Sequence, residues 1–197
     1  MFKPFIACDA DGVFIDWNGL FLSYANARLG TDRTYDDYRT HNLYETFDTD
    51  PVTIQQLVDD FDDEHCRREF PLVEGAEEYA HILGRRYRFA IVTSCPDSYK
   101  SARYSFFKKL LPDSLIFFSS GKNNTHTGRE GRQTKLEIVR SIPAVAFIDD
   151  NVHEFPSWDP DVALPLCYSQ PWNRALEQEC PFVPRLIWPE IAELLLV

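Results

Sequence analysis

Short apolar runs punctuate the chain, and each stops at a polar or acidic residue instead of fading into a turn. Phe5-Ile6-Ala7-Cys8 runs into Asp9, Phe89-Ala90-Ile91-Val92 into Thr93, and Ala144-Val145-Ala146-Phe147-Ile148 into Asp149-Asp150. Leu115 to Phe118 and Val162 to Tyr168 complete a predicted set of five strands. Between them the apolar period lengthens to that of a helix. Residues 74 to 86 place Ala76, Tyr79, Ala80, Ile82 and Leu83 on one face, and residues 97 to 111 do the same with Tyr99, Ala102, Phe106, Phe107 and Leu110. A shorter helix over 133 to 141 turns Leu136 and Val139 inward. Apolar strands alternating with helices predict an α/β fold with a mostly parallel sheet covered on both faces. Ligands bind such sheets outside the carboxyl ends of the strands, where Asp9, Thr93 and Asp149-Asp150 stand.

One spacing breaks the pattern. A strand-helix-strand unit takes about 30 residues, yet Asp9 and Thr93 are separated by nearly three times that length. Residues 17 to 71 read as an insertion: a helical stretch from Leu20 to Leu29, a Tyr/Asp-rich stretch over 35 to 47, then Val52 to Phe61 running into acidic residues Asp59 to Glu64. Leaving the sheet after its first strand, this segment would form a small helical lid over the strand ends. Residues 1–16 and 72–197 would form the core. The acidic run itself reads as a solvated helix face and not as a metal site.

A length of 197 residues suits one core with this addition. Thirty-one acidic against 20 basic residues give a net charge of −11, which argues against a long nucleic acid or an anionic membrane surface as partner. With 44% hydrophobic residues the chain can bury a core, which excludes disorder. The five cysteines (Cys8, Cys66, Cys95, Cys167, Cys180) are scattered and none has CxxC spacing, so neither a disulfide framework nor a structural zinc is expected. Asp9 and Asp11 interrupt the N-terminal apolar run, unlike a signal peptide, and no apolar stretch reaches the roughly 18 residues of a membrane span. The expectation is a soluble, cytoplasmic protein, monomer or homodimer. Charge is uneven, however. Lys100, Arg103, Lys108, Lys109, Lys122, Arg129, Arg132 and Lys135 face only Asp113 and Glu130 in the same stretch. Such a basic region beside carboxylates suits a phosphate held between Mg2+ and basic side chains.

The most informative segment is Cys8-Asp9-Ala10-Asp11-Gly12-Val13. Two carboxylates two residues apart at a strand end, followed by a glycine, are costly unless they hold a cation or do chemistry. With Thr93, Lys135 and Asp149-Asp150 following in order, the chain resembles the haloacid dehalogenase (HAD) superfamily of phosphohydrolases, whose first motif is DxDG(T/V) after an apolar strand. The resemblance covers nearly the whole chain and implies a Rossmann-like core with a small cap inserted after the first strand. More narrowly, Asp9 to Trp17 (DADGVFIDW), Phe21-Leu22, Ala27-Arg28, Pro71-Leu72 with Gly75-Ala76, and Val92 to Pro96 resemble the 5′(3′)-deoxyribonucleotidases. The lysine of that family lies closer to the paired acids than Lys135 does; Lys135 fits the general superfamily spacing.

The resemblance implies a Mg2+-dependent phosphomonoesterase. Asp9 would be the nucleophile that forms an aspartyl phosphate, and Asp11 the general acid and base. Asp9, the backbone carbonyl of Asp11, and Asp150 with Asp149 would hold Mg2+. Thr93, Ser94 and Lys135 would hold the phosphoryl oxygens, with Arg103 a further phosphate-binding candidate. Trp17 would stack on a nucleobase, with Tyr38 or Tyr44 as other aromatic candidates. The expected substrate is a small phosphorylated compound, a (deoxy)nucleoside monophosphate. Alternatives are a sugar phosphate or phosphoglycolate, a polynucleotide 3′-phosphate, or a non-catalytic role as a phosphate-ligand sensor. Asp11 argues against a dehalogenase, which needs no acid at that place. Each residue also has a plainer reading: Thr93 and Ser94 as helix caps, Lys135 and Arg103 as solvated helix residues, Trp17 as packing between lid and sheet. Cys8 should point away from Asp9, and the five histidines show no ligand spacing.

Overall fold

The computed structural model describes residues 3–65, 70–120, 133–174 and 180–197. Lys122, Arg129 and Arg132 of the basic stretch, with Cys66 and His126, lie outside the described residues. The core strands are β1 (Phe5–Cys8), β2 (Arg88–Thr93), β3 (Leu115–Phe118), β4 (Ala144–Asp149), β5 (Leu164–Tyr168) and β6 (Arg185–Leu186). They form one parallel sheet in the order β3-β2-β1-β4-β5-β6. The five expected strands are present, and β6 is a sixth. Only two residues long, it carries no period of its own to read.

Alternation along β1 divides the core between the two faces of the sheet. Ile6 and Cys8 join Ile91, Ile148, Phe14, Phe107 and Trp188 on one face. Phe5 and Ala7 join Val92, Phe147, Phe155 and Trp158 on the other. Cys8 and Asp9 therefore leave the strand in opposite directions, and the Cys8 thiol, fully buried, is pushed well up by burial and then by the Asp9 and Asp149 charges. Cys8, Cys95, Cys167 and Cys180 are buried and form no disulfide.

Around the sheet pack α4 (Ala76–Leu83), α5 (Lys100–Leu110), α6 (Lys135–Arg140) and α7 (Trp188–Leu196). The helix expected over 97–111 begins as a 3-10 turn, Asp97–Tyr99, before α5 proper. Thr134 and Glu137 make a reciprocal capping box that sets the first residue of α6, and that residue is Lys135.

Between β1 and β2 run α1 (Trp17–Leu29), α2 (Leu43–Thr46) and α3 (Pro51–His65). Asp16 accepts from the Gly19 amide at 2.9 Å to start α1, and Gly30, at φ 66°, ends it in the left-handed region. The segment leaves and returns at one place: Asp16 N donates to Pro71 O and Val73 N to Phe14 O, each at 2.9 Å. Its interior is aromatic, with Phe21 packed among Trp17, Tyr24, Phe47 and Phe61. No helix among the described residues is long and apolar enough to cross a membrane.

Candidate active site

Strands β2 and β4 flank β1, and from there the chain order runs outward in both directions. The crevice beyond the carboxyl ends of β1, β2 and β4 is thus the switch point of the sheet, the position at which open α/β sheets bind ligands. Asp9 follows β1, Asp149 and Asp150 end and follow β4, and Thr93 ends β2.

Asp9, Asp149 and Asp150 are all buried, and one carboxylate oxygen from each lies within 4.8 Å of the other two. Lys135 Nζ, also buried, donates to Asp9 Oδ2 and to Asp149 Oδ2 at 2.7 Å each. Asp149 Oδ1 accepts from Asn151 N at 2.9 Å, and Asp150 Oδ2 from the Trp172 indole at 2.9 Å. Three carboxylates against one ammonium leave two negative charges uncompensated in a desolvated place. Burial, opposed by Lys135 and reinforced by Asp9, pushes Asp149 up to about 7. Asp150 is also held well above the usual carboxylate range, by burial and then by the Asp149 and Asp9 charges. Burial alone would lower the Lys135 ammonium; Asp149 and Asp9 raise it instead. An all-oxygen donor set with this charge deficit fits a hard divalent cation such as Mg2+. Gly12, at φ 75°, makes the room: a Cβ there would stand 2.4 Å from Asp150 Oδ2.

Hydroxyls crowd the same strand ends. Thr93 Oγ1, Ser94 Oγ and Ser119 Oγ are buried and have no hydrogen-bond partner among the described residues. Orphaned donors of this kind want an acceptor-rich ligand. Ser119 follows β3 and bonds its amide to Thr93 O at 2.9 Å; its only mark in the sequence is its place after an apolar run.

Asp11 points into an adjoining cavity of about 190 Å³ lined by Asp11, Trp17, Asp62, Ser94, Tyr99 and Arg103 among others. Burial raises the Asp11 carboxyl, the Arg103 charge opposes it, and Asp9 adds to the rise. Arg103 Nη2 donates to Asp11 Oδ1 at 2.6 Å. Arg103 thus meets a carboxylate where a phosphate contact was expected, although its Nε and Nη1 are buried without partner among the described residues.

Trp17 lines this cavity and is also stacked on Phe21, with ring centroids 4.8 Å apart. Tyr38 is buried against Tyr35 and Trp172 and does not line it, and Tyr44 packs against the core. The acidic run 59–64 is only partly the solvated face that was expected. Glu64 is outside, paired with Arg28, whereas Asp59 and Asp62 from α3 line the cavity. Burial pushes Asp62 up to about 6 against the hydrogen bonds of Tyr99 and Trp17.

No family profile matches the sequence. No curated protein matches it either. Solved structures do match. A haloacid dehalogenase-like hydrolase from Streptococcus pneumoniae is 13% identical, covers 98% of both chains and superposes with a TM-score of 0.63. A predicted phosphoglycolate phosphatase from Haemophilus somnus is likewise 13% identical over 98% of both chains, with a TM-score of 0.58. The assigned HAD-hydrolase YfnB of Bacillus subtilis, in a magnesium-bound form, is 16% identical over 100% of both chains, with a TM-score of 0.57. The fold is therefore that of the haloacid dehalogenase-like hydrolases. The likeness is one of fold, and none of these three structures is described as a deoxyribonucleotidase.

Proposed function

We propose that the protein is a Mg2+-dependent phosphomonoesterase acting on a small phosphorylated substrate through an aspartyl phosphate. The observation that carries this is the division of labour between two carboxylates on one turn. Asp9 sits against the Lys135 ammonium beside two further carboxylates, and Asp11, two residues on, is raised by burial toward its protonated form. Mg2+ held by Asp9, Asp149 and Asp150 would neutralise carboxylate and phosphate charge so that an anion can attack an anion. Asp9 attacks phosphorus and takes the phosphoryl group, and Asp11 gives its proton to the departing alkoxide. Asp11 then removes a proton from the water that releases phosphate. Lys135 and the Thr93, Ser94 and Ser119 hydroxyls receive the charge spreading over the phosphoryl oxygens. Residues 17–71 act as the lid, and 1–16 with 72–197 as the core.

Trp17 beside the cavity favours a nucleoside monophosphate, the base lying on the indole. The Haemophilus somnus neighbour favours phosphoglycolate instead. Asp59 and Asp62 would repel that second carboxylate, which supports the nucleotide reading. The test is hydrolysis of p-nitrophenyl phosphate with Mg2+ and with EDTA, followed by a panel of 5′- and 3′-(deoxy)nucleotides, sugar phosphates and phosphoglycolate. No metal-dependent turnover sinks the enzyme. Sugar phosphates or phosphoglycolate ahead of every nucleotide by about tenfold in kcat/KM sink the nucleotide reading. Trp17→Ala should raise KM for a nucleotide far more than for p-nitrophenyl phosphate; equal effects would leave Trp17 a packing residue.

A further inference from the structure

Three tryptophans bury an indole N–H against an acceptor, and one acceptor is unlike the others. Trp188 Nε1 donates to Val13 O at 3.0 Å and Trp158 Nε1 to Ala163 O at 2.9 Å, the backbone carbonyls a packing residue uses. Trp172 Nε1 instead donates to the carboxylate of Asp150, at Oδ2 and 2.9 Å. Its neighbour Asn173 donates Nδ2 to Asp150 O at 2.9 Å and to Tyr168 O at 2.7 Å. Gly12 also lies close against this carboxylate, where a Cβ would stand 2.4 Å from Oδ2, and Gln170 Nε2 fixes the Gly12 carbonyl at 2.7 Å. One short segment, 170–173, therefore holds Asp150 by its side chain and its backbone, and holds the turn against which Asp150 rests. A carboxylate so held cannot rotate away from the cluster it forms with Asp9 and Asp149.

Trp172 is in turn held from the inserted segment. Tyr35, Tyr38 and His41 set their rings against it with centroids 5.9, 5.7 and 5.9 Å away. Tyr35 also donates its hydroxyl to Gln170 Oε1 at 3.3 Å. His41 Nε2 lies 3.4 Å from Asp150 O.

We infer that Trp172 is a positioning residue: its indole N–H fixes Asp150 for the divalent cation, and the Tyr35, Tyr38 and His41 rings fix Trp172, coupling the seating of the inserted segment to metal affinity. The inference rests on the metal site proposed above. Outer partners of a ligating carboxylate set its orientation, and their loss costs about 10–100-fold in metal affinity. Coupling of this kind is reciprocal, so an ion in place also favours the seated segment.

The experiment is direct binding without substrate, Mn2+ by electron paramagnetic resonance and Mg2+ by calorimetry, to wild type, Trp172→Phe and His41→Ala. Trp172→Phe keeps an aromatic ring beside the three aromatics and loses the donor together with one ring of the indole. Its metal Kd should rise about 10–100-fold; a folded Trp172→Phe with wild-type Kd overturns the inference. His41→Ala should raise Kd by about threefold or more, and an unchanged value overturns the coupling to the inserted segment. Should Trp172→Phe not fold, the wild-type indole resonances decide, assigned through variants of the other three tryptophans. Added Mg2+ should move the Trp172 signal well beyond those of Trp158 and Trp188, and equal movement overturns the inference. A wild type that binds neither ion refutes the phosphatase reading itself, an outcome distinct from all of these.

Discussion

Arg103 donates a 2.6 Å hydrogen bond to Asp11, and its side chain is buried while the carboxylate it meets is one-third exposed to the cavity. The arginine therefore tunes the group proposed as general acid. Its charge opposes the burial that raises Asp11, so removing it should raise Asp11 further. In Arg103→Met the high-pH limb of kcat/KM, where a general acid loses its proton, should move to higher pH, with kcat reduced. The pH-rate profile with an alkyl phosphate, whose leaving group needs the proton, measures this. A limb that stays put or moves down would separate Asp11 from the acid role.

Strands β1, β2 and β4 were legible because each is largely buried and ends where chemistry begins, as Phe5 to Cys8 does at Asp9; β3 is half-buried and was legible from its apolar run alone. The DxDG turn, the paired acids and Lys135 could be placed for the same reason: each adjoins an apolar run or opens a helix. What the sequence hid depends on side chains crossing between distant segments. Trp172 meets Asp150 through a short 3-10 turn with no period to read. Arg103 was open to a closer reading, since it stands four residues after Tyr99 and four before Phe107, on the buried stripe of α5. Asp62 lay hidden in a run of acids, where only packing of α3 against the core decides which carboxylate turns inward.

Lys135 is the one ammonium bonded to the carboxylate cluster among the described residues. Lys135→Met would strand those carboxylates without a cation, costing on the order of 3–5 kcal/mol in urea unfolding at neutral pH with EDTA. Saturating Mg2+ should restore part of the loss. So should acid, because Asp149 and Asp150 are already raised and would protonate. A loss independent of both Mg2+ and pH would contradict the charge balance described.

Asp62 gives a pH dependence of opposite sense to an ordinary salt-bridged acid. Its folded pKa of about 6 stands above the ordinary value near 3.9. Between these values the folded chain keeps a proton that the unfolded chain has lost. Stability on this account is highest below about pH 4, falls as pH rises to about 6, and stays lower above that. Asp62→Asn removes the fall: thermal unfolding at about pH 7.5 should show a gain on the order of 1 kcal/mol that vanishes near pH 4. A gain at low pH, or a loss at high pH, would refute it.

In the proposed reaction Asp9 takes the phosphoryl group and Asp11 moves the protons. The direct measurement is pre-steady-state hydrolysis of p-nitrophenyl phosphate by Asp11→Asn with Mg2+, followed by acid quench and peptide mass spectrometry. Nitrophenolate leaves without an acid, but activating water to release phosphate still needs the Asp11 base. The expected result is a burst of nitrophenolate equal to the enzyme present, a slow steady state, and one phosphoryl group on the peptide at Asp9. A missing burst with no phosphoryl group on any peptide, or a phosphoryl group at another residue, would contradict it.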